Sequence, residues 1–135
     1  NIDACHRSFR QTCNLLQGRP ELDTRNFHYA ADTTRQAAAL MVHIYRLEPG
    51  TWLRPHIGFP GRLVVSIGLQ GTEDHSEAQK GFVRVGGQVQ RWKFGKAIVF
   101  DDSFEHEVQL PSDAKPRFVL AVSMLHPDAN QVTSL

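Results

Sequence analysis

The stretch FVRVGGQVQRW, residues 82–92, contains the pattern that decides the fold. Short runs rich in valine and aromatic residues flank Gly86-Gly87 on both sides. Two glycines between such runs are typical of a two-residue β-hairpin turn, because glycine readily adopts the positive φ that this turn requires. We therefore predict two strands, residues 82–85 and 89–92, joined by a tight turn.

The chain on both sides of this hairpin has the same character. Apolar runs alternate with turn signals such as Glu48-Pro49-Gly50 and Gly71. Further strands are predicted at residues 40–47, 62–69, 97–100 and 117–125. Six or so short strands favour a mainly β fold, a sandwich or barrel of the jelly-roll kind. We predict one domain over residues 1–135, with a helix and loop lead-in at 1–38 and a β core at 39–127.

The lead-in contains a predicted N-terminal helix and both cysteines. Cys5, Phe9, Cys13 and Leu16 recur at helical spacing, which predicts a helix over residues 3–17 and a loop over residues 19–38. On a continuous helix Cys5 and Cys13 would lie about 12 Å apart, too far for a disulfide. A bridge that breaks the helix and two free thiols are about equally expected. A bridge favours the secretory pathway, and free thiols favour the cytoplasm.

Composition argues against two classes of partner. The formal net charge is +1, and basic residues do not alternate with aromatic ones, so no nucleic-acid partner is predicted. No run of about twenty apolar residues exists, so no membrane span is predicted. The chain begins with Asn1 rather than Met, and we expect a processed or trimmed product. The sequence predicts no particular oligomeric state.

Two of the seven histidines stand out by their context. We place His56 between a turn and a strand, and His106 between two strands. Imidazoles at the mouths of two jelly-roll strands can meet at one metal ion. Neutral imidazole suits iron, zinc, copper and nickel alike, so the residue types alone leave the metal open.

A resemblance to a known family narrows that choice. The run FDDSFEHEV, residues 100–108, resembles the distal-histidine motif of the aspartyl/asparaginyl β-hydroxylase family. Pro49-Gly50-Thr51 and then PHIG, residues 55–58, resemble its proximal-histidine motif. Arg117 begins a segment that ends in His126-Pro127, as the last strand of that family does. The resemblance covers most of the chain, from Cys5 to Pro127.

The resemblance implies a double-stranded β-helix, which is a cupin-like jelly roll, and an oxygenase that uses Fe(II) and 2-oxoglutarate. Its iron ligands are matched by His56 and His106. Most related oxygenases add a carboxylate two residues after the first histidine, but this family has glycine there, and Gly58 fits. Water would fill the vacant position, and Asp102 matches an aspartate that holds this water, which gives it a catalytic role.

The resemblance also assigns the co-substrate and substrate contacts. Arg117 matches the arginine that binds the far carboxylate of 2-oxoglutarate, where a planar guanidinium gives a bidentate pair. Ser66 is assigned to the same co-substrate, and Arg62 matches an arginine that contacts an acidic substrate. This chain departs from the family where Val64 and Ser66 replace an Arg-x-His pair and Tyr45 replaces a small hydroxyl residue.

These observations predict a dioxygenase that hydroxylates a C–H bond near a carboxylate or amide of a small molecule or peptide. Because Val64 and Ser66 make the surface that would receive the co-substrate less polar than in the family, two alternatives stay open. The first is changed chemistry on the same frame, such as desaturation, rearrangement or isomerisation. The second is a jelly-roll module that binds without turnover. Zinc or copper in place of iron is a further possibility for the two histidines.

Overall fold

The structure, a computed structural model, describes residues 7, 10–19 and 41–126. Two short helices and eight strands make up this part of the chain. The helices are α1 (Arg10–Leu16) and α2 (His75–Ala78). The strands are β1 (Met41–Leu47), β2 (Trp52–His56), β3 (Arg62–Gln70), β4 (Phe82–Val85), β5 (Gln88–Gln90), β6 (Ala97–Asp101), β7 (His106–Gln109) and β8 (Arg117–Leu125).

The strands form two four-stranded antiparallel sheets. One sheet has the order β1-β8-β3-β6, and the other has the order β2-β7-β4-β5. Apart from the β4–β5 hairpin, neighbours in each sheet are not consecutive in the chain, as when β1 pairs with β8 over all seven of its residues. Chain segments that cross between the sheets in this way are typical of a jelly roll. The predicted double-stranded β-helix is confirmed.

The hairpin at Gly86-Gly87 forms as predicted. Val85 pairs with Gln88, and Gly86 has a φ of 54°, which is the left-handed conformation that a tight turn needs. The second strand of the hairpin ends at Gln90 rather than at Trp92. Trp92 instead turns into the interior, where it is 2% exposed.

Strands β2 and β7 were absent from the sequence-based prediction. β2 (WLRPH) contains a proline and β7 (HEVQ) is largely polar, so neither has a clear apolar alternation. Proline is tolerated in β2 because this strand lies at the edge of its sheet, where an N–H is not needed. The placement of His56 before a strand and of His106 between strands was therefore wrong. His56 ends β2 and His106 begins β7.

The predicted helix over residues 3–17 is seen in part. Helix α1 covers Arg10–Leu16, whereas residues 3–6, 8 and 9 and most of the predicted loop lie outside the described residues. Cys13 is buried and disulfide-bonded. The second cysteine of the chain, Cys5, lies outside the described residues. In the part of the chain that is described, neither helix has the length and apolar character needed to cross a bilayer.

The main core lies between the two sheets. It is built from Leu47, Val83, Trp92, Leu110, Ala114 and Val119. Val85, Phe100 and Val108 pack against this cluster from neighbouring strands. These side chains come from both sheets, and four of them also line a cavity between the sheets: Leu47, Val83, Trp92 and Val119.

Candidate functional site

A cavity of about 220 Å³ lies between the two sheets. Most of the side chains that line it are apolar, among them Val64, Phe100 and Val108. The polar members include both histidines of the predicted metal pair. Ligand sites in proteins are commonly apolar cavities with a few convergent polar groups, and this cavity has that character.

His56 and His106 come together in this cavity. They are register partners across β2 and β7, and their ring centroids are 4.2 Å apart. The register of β2 shifts between Leu53 and His56, so the strand bends where it brings His56 to its partner. His106 is buried, whereas His56 is exposed at the cavity mouth. The predicted convergence of the two imidazoles is therefore observed.

Both imidazoles are oriented by the same kind of hydrogen bond. Nδ1 of His56 lies 2.7 Å from the carbonyl oxygen of Arg54, and Nδ1 of His106 lies 2.9 Å from that of Phe104. A carbonyl oxygen only accepts, so each Nδ1 donates and carries the hydrogen. In the neutral ring, Nε2 then presents a lone pair. This is the arrangement that orients histidine ligands in metal sites.

Side chains on the outer face of β7 hold the strand in this register. Glu107 points away from the cavity and accepts hydrogen bonds from Arg84 Nε on β4 (2.6 Å) and from Trp52 Nε1 on β2 (2.9 Å). The Arg84 hydrogen bond, followed by that of Trp52, lowers the pKa of Glu107. Because neighbouring residues on a strand face opposite sides, fixing Glu107 outward fixes His106 inward.

Asp102 lies beside the histidine pair. It is 3% exposed, and its Oδ1 is 3.4 Å from Nε2 of His106. Its Oδ2 accepts from the main-chain N–H of Phe59 (2.6 Å) and from Nε (2.9 Å) and Nη2 (2.5 Å) of Arg62. These bonds fix the carboxylate, so that one oxygen is held by Arg62 and the other faces the imidazole.

Gly58 is explained by the position of that carboxylate. A Cβ built on Gly58 would overlap both carboxylate oxygens of Asp102. The main-chain N–H of Gly58 also donates to the carbonyl oxygen of Asp102 (2.8 Å). The space that a side chain two residues after His56 would occupy is thus filled by a carboxylate from a different segment. Glycine is required here for steric reasons.

These residues fit a divalent metal with imidazole ligands. Each histidine offers Nε2, and a carboxylate oxygen stands next to one of them. Among residues 7, 10–19 and 41–126, no group of three or more His, Cys, Asp or Glu is arranged to hold a metal ion. Among the described residues, His56 and His106 would therefore be the ligands, with Asp102 alongside, and this role stays a prediction.

Arg62 is engaged with the site itself. Its side chain is 17% exposed and lines the cavity, where it forms the ion pair with Asp102. The predicted contact of Arg62 with an acidic substrate stays a prediction. What the structure adds is that Arg62 orients the carboxylate next to His106.

Arg117 does not line the cavity. It is fully buried at the start of β8, and its Nη2 donates to the main-chain carbonyl of Glu77 (2.7 Å). Its Nε and Nη1 have no hydrogen-bond partner within the described part of the chain. Burial lowers the pKa of Arg117, and the charge of Glu77 acts in the opposite direction. The predicted role of Arg117 in binding a carboxylate stays a prediction.

Ser66 and Trp92 form the part of the cavity wall that contacts Arg117, through the Trp92 ring. Both line the cavity, and the buried Nε1 of Trp92 donates to Ser66 Oγ (2.8 Å). The guanidinium carbon of Arg117 is 5.6 Å from the centroid of the Trp92 ring, close enough for a cation–π contact. The hydroxyl of Ser66 is thus engaged with the indole, and its predicted contact with a co-substrate stays a prediction.

Sequence reasoning missed one polar residue of the cavity wall, Ser123. Ser123 lines it from β8, opposite Val64 in the strand register. The inward alternation of Arg117, Val119, Ala121 and Ser123 would have identified it. Tyr45 also lines the cavity, and its hydroxyl lies 2.9 Å from Nδ1 of His43. The side chain that replaces the small hydroxyl residue of the family is thus at the site.

Solved structures with the same architecture are cupin proteins. The chain superposes on the cupin domain of the Schizosaccharomyces pombe protein Cnp3 with a TM-score of 0.53 and 11% identity, covering 69% of this chain and 61% of that one. It superposes on a predicted oxalate decarboxylase from Thermotoga maritima with a TM-score of 0.51 and 17% identity, covering 72% and 76%. At such low identities the likeness shows the double-stranded β-helix fold alone.

Sequence comparison identifies relatives that are hydroxylases. An ornithine lipid ester-linked acyl 2-hydroxylase of Rhizobium tropici is 40% identical over 81 residues, which are 59% of this chain and 27% of that protein. The human aspartyl/asparaginyl beta-hydroxylase is 29% identical over 129 residues, 95% of this chain and 14% of that protein. The chain thus spans about a quarter or less of either relative.

The family model for aspartyl/asparaginyl beta-hydroxylases matches residues 2–127. That range includes both histidines, Asp102 and all eight strands. Together with the relatives, it supports a hydroxylase-like enzyme. The chain belongs to the aspartyl/asparaginyl β-hydroxylase family.

Proposed function

We propose that this domain is a non-haem Fe(II)- and 2-oxoglutarate-dependent oxygenase that hydroxylates a C–H bond. The observation that carries the proposal is the histidine pair. His56 and His106 meet across adjacent strands, and each ring is fixed through Nδ1 so that Nε2 is left for a metal. Two imidazoles beside a carboxylate suit non-haem iron, and the family match favours iron over zinc or copper.

Each polar residue of the cavity has a distinct task in this proposal. His56 and His106 would hold the iron, which supplies the dioxygen chemistry when it is bound together with the 2-oxo acid. Asp102 would orient water next to His106 through Oδ1, while Arg62 holds the carboxylate in place through Oδ2. The apolar side chains around them exclude bulk water from the reacting C–H bond.

The cavity wall favours a substrate with an apolar portion. Val64, Leu53, Val108 and Phe100 line it, and among the described residues Arg62 is the one Lys or Arg of the cavity lining. An acyl chain would bury its methylene groups against such a wall, each stabilising binding by about 0.8 kcal/mol. The Rhizobium tropici relative bears the name of an acyl hydroxylase. We therefore propose a small molecule with an acyl chain, or a peptide with an apolar side chain, hydroxylated near a carboxylate, ester or amide.

Metal analysis of the purified chain tests the metal site. Wild-type protein is expected to bind one equivalent of Fe(II), as measured by calorimetry under anaerobic conditions. His56→Ala and His106→Ala should each abolish this uptake. His75→Ala is the matched control, because His75 lies in α2, outside the cavity lining. Equal iron binding by all four proteins would overturn the proposed site.

Product analysis tests the reaction. With dioxygen, 2-oxoglutarate and candidate acyl substrates, hydroxylation should accompany succinate release, and mass spectrometry should show a gain of one oxygen atom. A loss of two hydrogens, or a product of unchanged mass, would instead indicate desaturation or isomerisation on the same frame.

A module that binds a ligand without turnover is the second candidate. It is favoured by one observation: Arg117, which the resemblance assigns to the co-substrate, lies outside the cavity lining. In that case the metal-loaded protein would bind an apolar ligand but release no succinate under any condition. Iron uptake with neither 2-oxoglutarate binding nor turnover would decide for this candidate.

A further inference from the structure

Arg117 is a buried cation whose hydrogen bonds are incomplete. Its side chain is 0% exposed, and its Nε and Nη1 lack a hydrogen-bond partner in the described residues. Leaving a buried charged donor unpaired costs several kcal/mol in general, so such groups normally face a ligand or an ion pair. The main-chain carbonyl of Glu77 satisfies Nη2 alone. Arg117 therefore has unused capacity to bind an anionic group.

The indole of Trp92 separates this guanidinium from the cavity. Trp92 contacts Arg117 through its ring and forms part of the cavity lining, whereas Arg117 does not. The hydrogen bond from Nε1 to Ser66 Oγ holds the indole in that position. Ser66 lies on β3 four residues beyond Arg62, about 13 Å along the strand. The Ser66–Trp92 pair therefore closes the end of the cavity that lies away from Arg62 and Asp102.

We propose that Trp92, held by Ser66, is the residue that selects the co-substrate, because an acid with a second carboxylate must displace the indole to reach Arg117. A 2-oxo acid with a short uncharged tail fits above the closed indole. A dicarboxylate such as 2-oxoglutarate requires the open position. This inference rests on the proposed 2-oxo acid chemistry, and it names the two side chains that decide which 2-oxo acid is bound.

The closed indole lowers the apparent affinity for a dicarboxylate. When a ligand binds only one of two states, its apparent affinity is reduced by the free energy needed to populate that state. Ser66→Ala removes the acceptor of the Trp92 hydrogen bond and so favours the open position. One neutral hydrogen bond corresponds to a factor of about five, so 2-oxoglutarate should bind about five-fold more tightly to Ser66→Ala. A direct contact of Ser66 with the co-substrate predicts the opposite, weaker binding.

Calorimetry on the Fe(II)-loaded protein without dioxygen measures this difference. The probes are 2-oxoglutarate and 2-oxobutyrate, which has no second carboxylate. We expect Ser66→Ala to tighten the dissociation constant of 2-oxoglutarate about five-fold and to leave that of 2-oxobutyrate within about two-fold. Ser123→Ala is the matched control, since it removes another buried cavity hydroxyl that is not the acceptor of the Trp92 bond. Ser123→Ala should not tighten the binding of 2-oxoglutarate.

Fluorescence gives a second readout that does not depend on turnover. The chain has two tryptophans, so Trp52→Phe leaves Trp92 as the sole tryptophan. In this background 2-oxoglutarate should shift the emission of Trp92, and 2-oxobutyrate should shift it far less.

The outcomes separate this inference from the function on which it rests. Suppose that 2-oxoglutarate binds the wild type, but its affinity is weaker or unchanged in Ser66→Ala, or that both acids shift the emission of Trp92 equally. The role of Trp92 in selecting the co-substrate is then overturned, and the proposed function stands. If the iron-loaded proteins bind neither acid, the proposed function fails and this inference fails with it.

Discussion

Replacing Gly58 by alanine is the sharpest test of how the site is built. The main chain of Gly58 does not have a positive φ, so alanine introduces no backbone strain there. The added methyl group would instead overlap the carboxylate of Asp102. Because Gly58 is also tied to Asp102 by a main-chain hydrogen bond of 2.8 Å, the carboxylate is the part that must move. Gly58→Ala should therefore displace Asp102 from its partners.

The size of the effect follows from the bonds that are lost. Displacement breaks the ion pair of Asp102 with Arg62 and the hydrogen bond from Phe59 N–H. Breaking a buried ion pair costs about 3–5 kcal/mol. Arg62 keeps a side-chain exposure of 17%, and a displaced carboxylate can reach water, so we expect about 2–4 kcal/mol. For a domain of this size the melting temperature should fall by roughly 10 °C.

Thermal and urea unfolding followed by circular dichroism measure this loss. Gly87→Ala is the matched control, because a Cβ there meets nothing within 4 Å. Gly87→Ala should stay within about 0.5 kcal/mol of the wild type. Iron binding measured on the same proteins should weaken in Gly58→Ala and not in Gly87→Ala.

The reasoning would be refuted if Gly58→Ala had the stability and iron affinity of the wild type. That result would mean that the carboxylate of Asp102 does not occupy the space beside Gly58. The account of the glycine as a steric requirement would then be wrong.

Three further predictions follow from the described contacts. Asp102→Asn should weaken iron binding about 10- to 100-fold, the usual effect of losing an outer partner of a metal site; unchanged affinity in calorimetry would contradict its role. Leu110→Ala removes a side chain that is 0% exposed and should lower the free energy of unfolding by about 2–5 kcal/mol in urea titrations, whereas Leu15→Ala, on an exposed face of α1, should change it little. The hydrogen bond from the main-chain N–H of Lys115, and secondarily that from Lys80, lowers the pKa of Glu77 below its ordinary 4.5. The ionised Glu77 side chain therefore stabilises the fold above pH 4.5, and this contribution is lost as the pH falls through the pKa of the folded state. Urea midpoints measured down to acid pH should therefore fall less steeply for Glu77→Gln than for the wild type, and parallel curves would contradict the assignment.

The sequence could predict the strands that have strong local signals. Residues 82–85 and 117–125 form strands with the predicted bounds, because runs of branched residues and glycine turns act locally. Strands β2 and β7 were missed because their pairing with each other, rather than their own composition, makes them strands. A proline at a sheet edge is acceptable only when the neighbouring strand is known.

In the candidate site, too, some features could be predicted from the sequence and others only from the structure. The sequence identified His56, His106 and Asp102 because their motifs lie in short continuous segments that resemble a known family. It could not reveal that Arg62 and Asp102 form a buried ion pair, since these residues are forty positions apart. Nor could it place Trp92 between Ser66 and Arg117, which depends on three separate strands or loops packing around one indole.

The sequence by itself determined the fold class and the family and singled out His56 and His106 as a pair, because these depend on local periodicity and on short motifs. The tertiary structure decided which polar groups face the cavity and which are turned away from it. The orientation and the burial of these polar side chains arise only when the two sheets pack against each other. They determine the charge and the depth of the cavity.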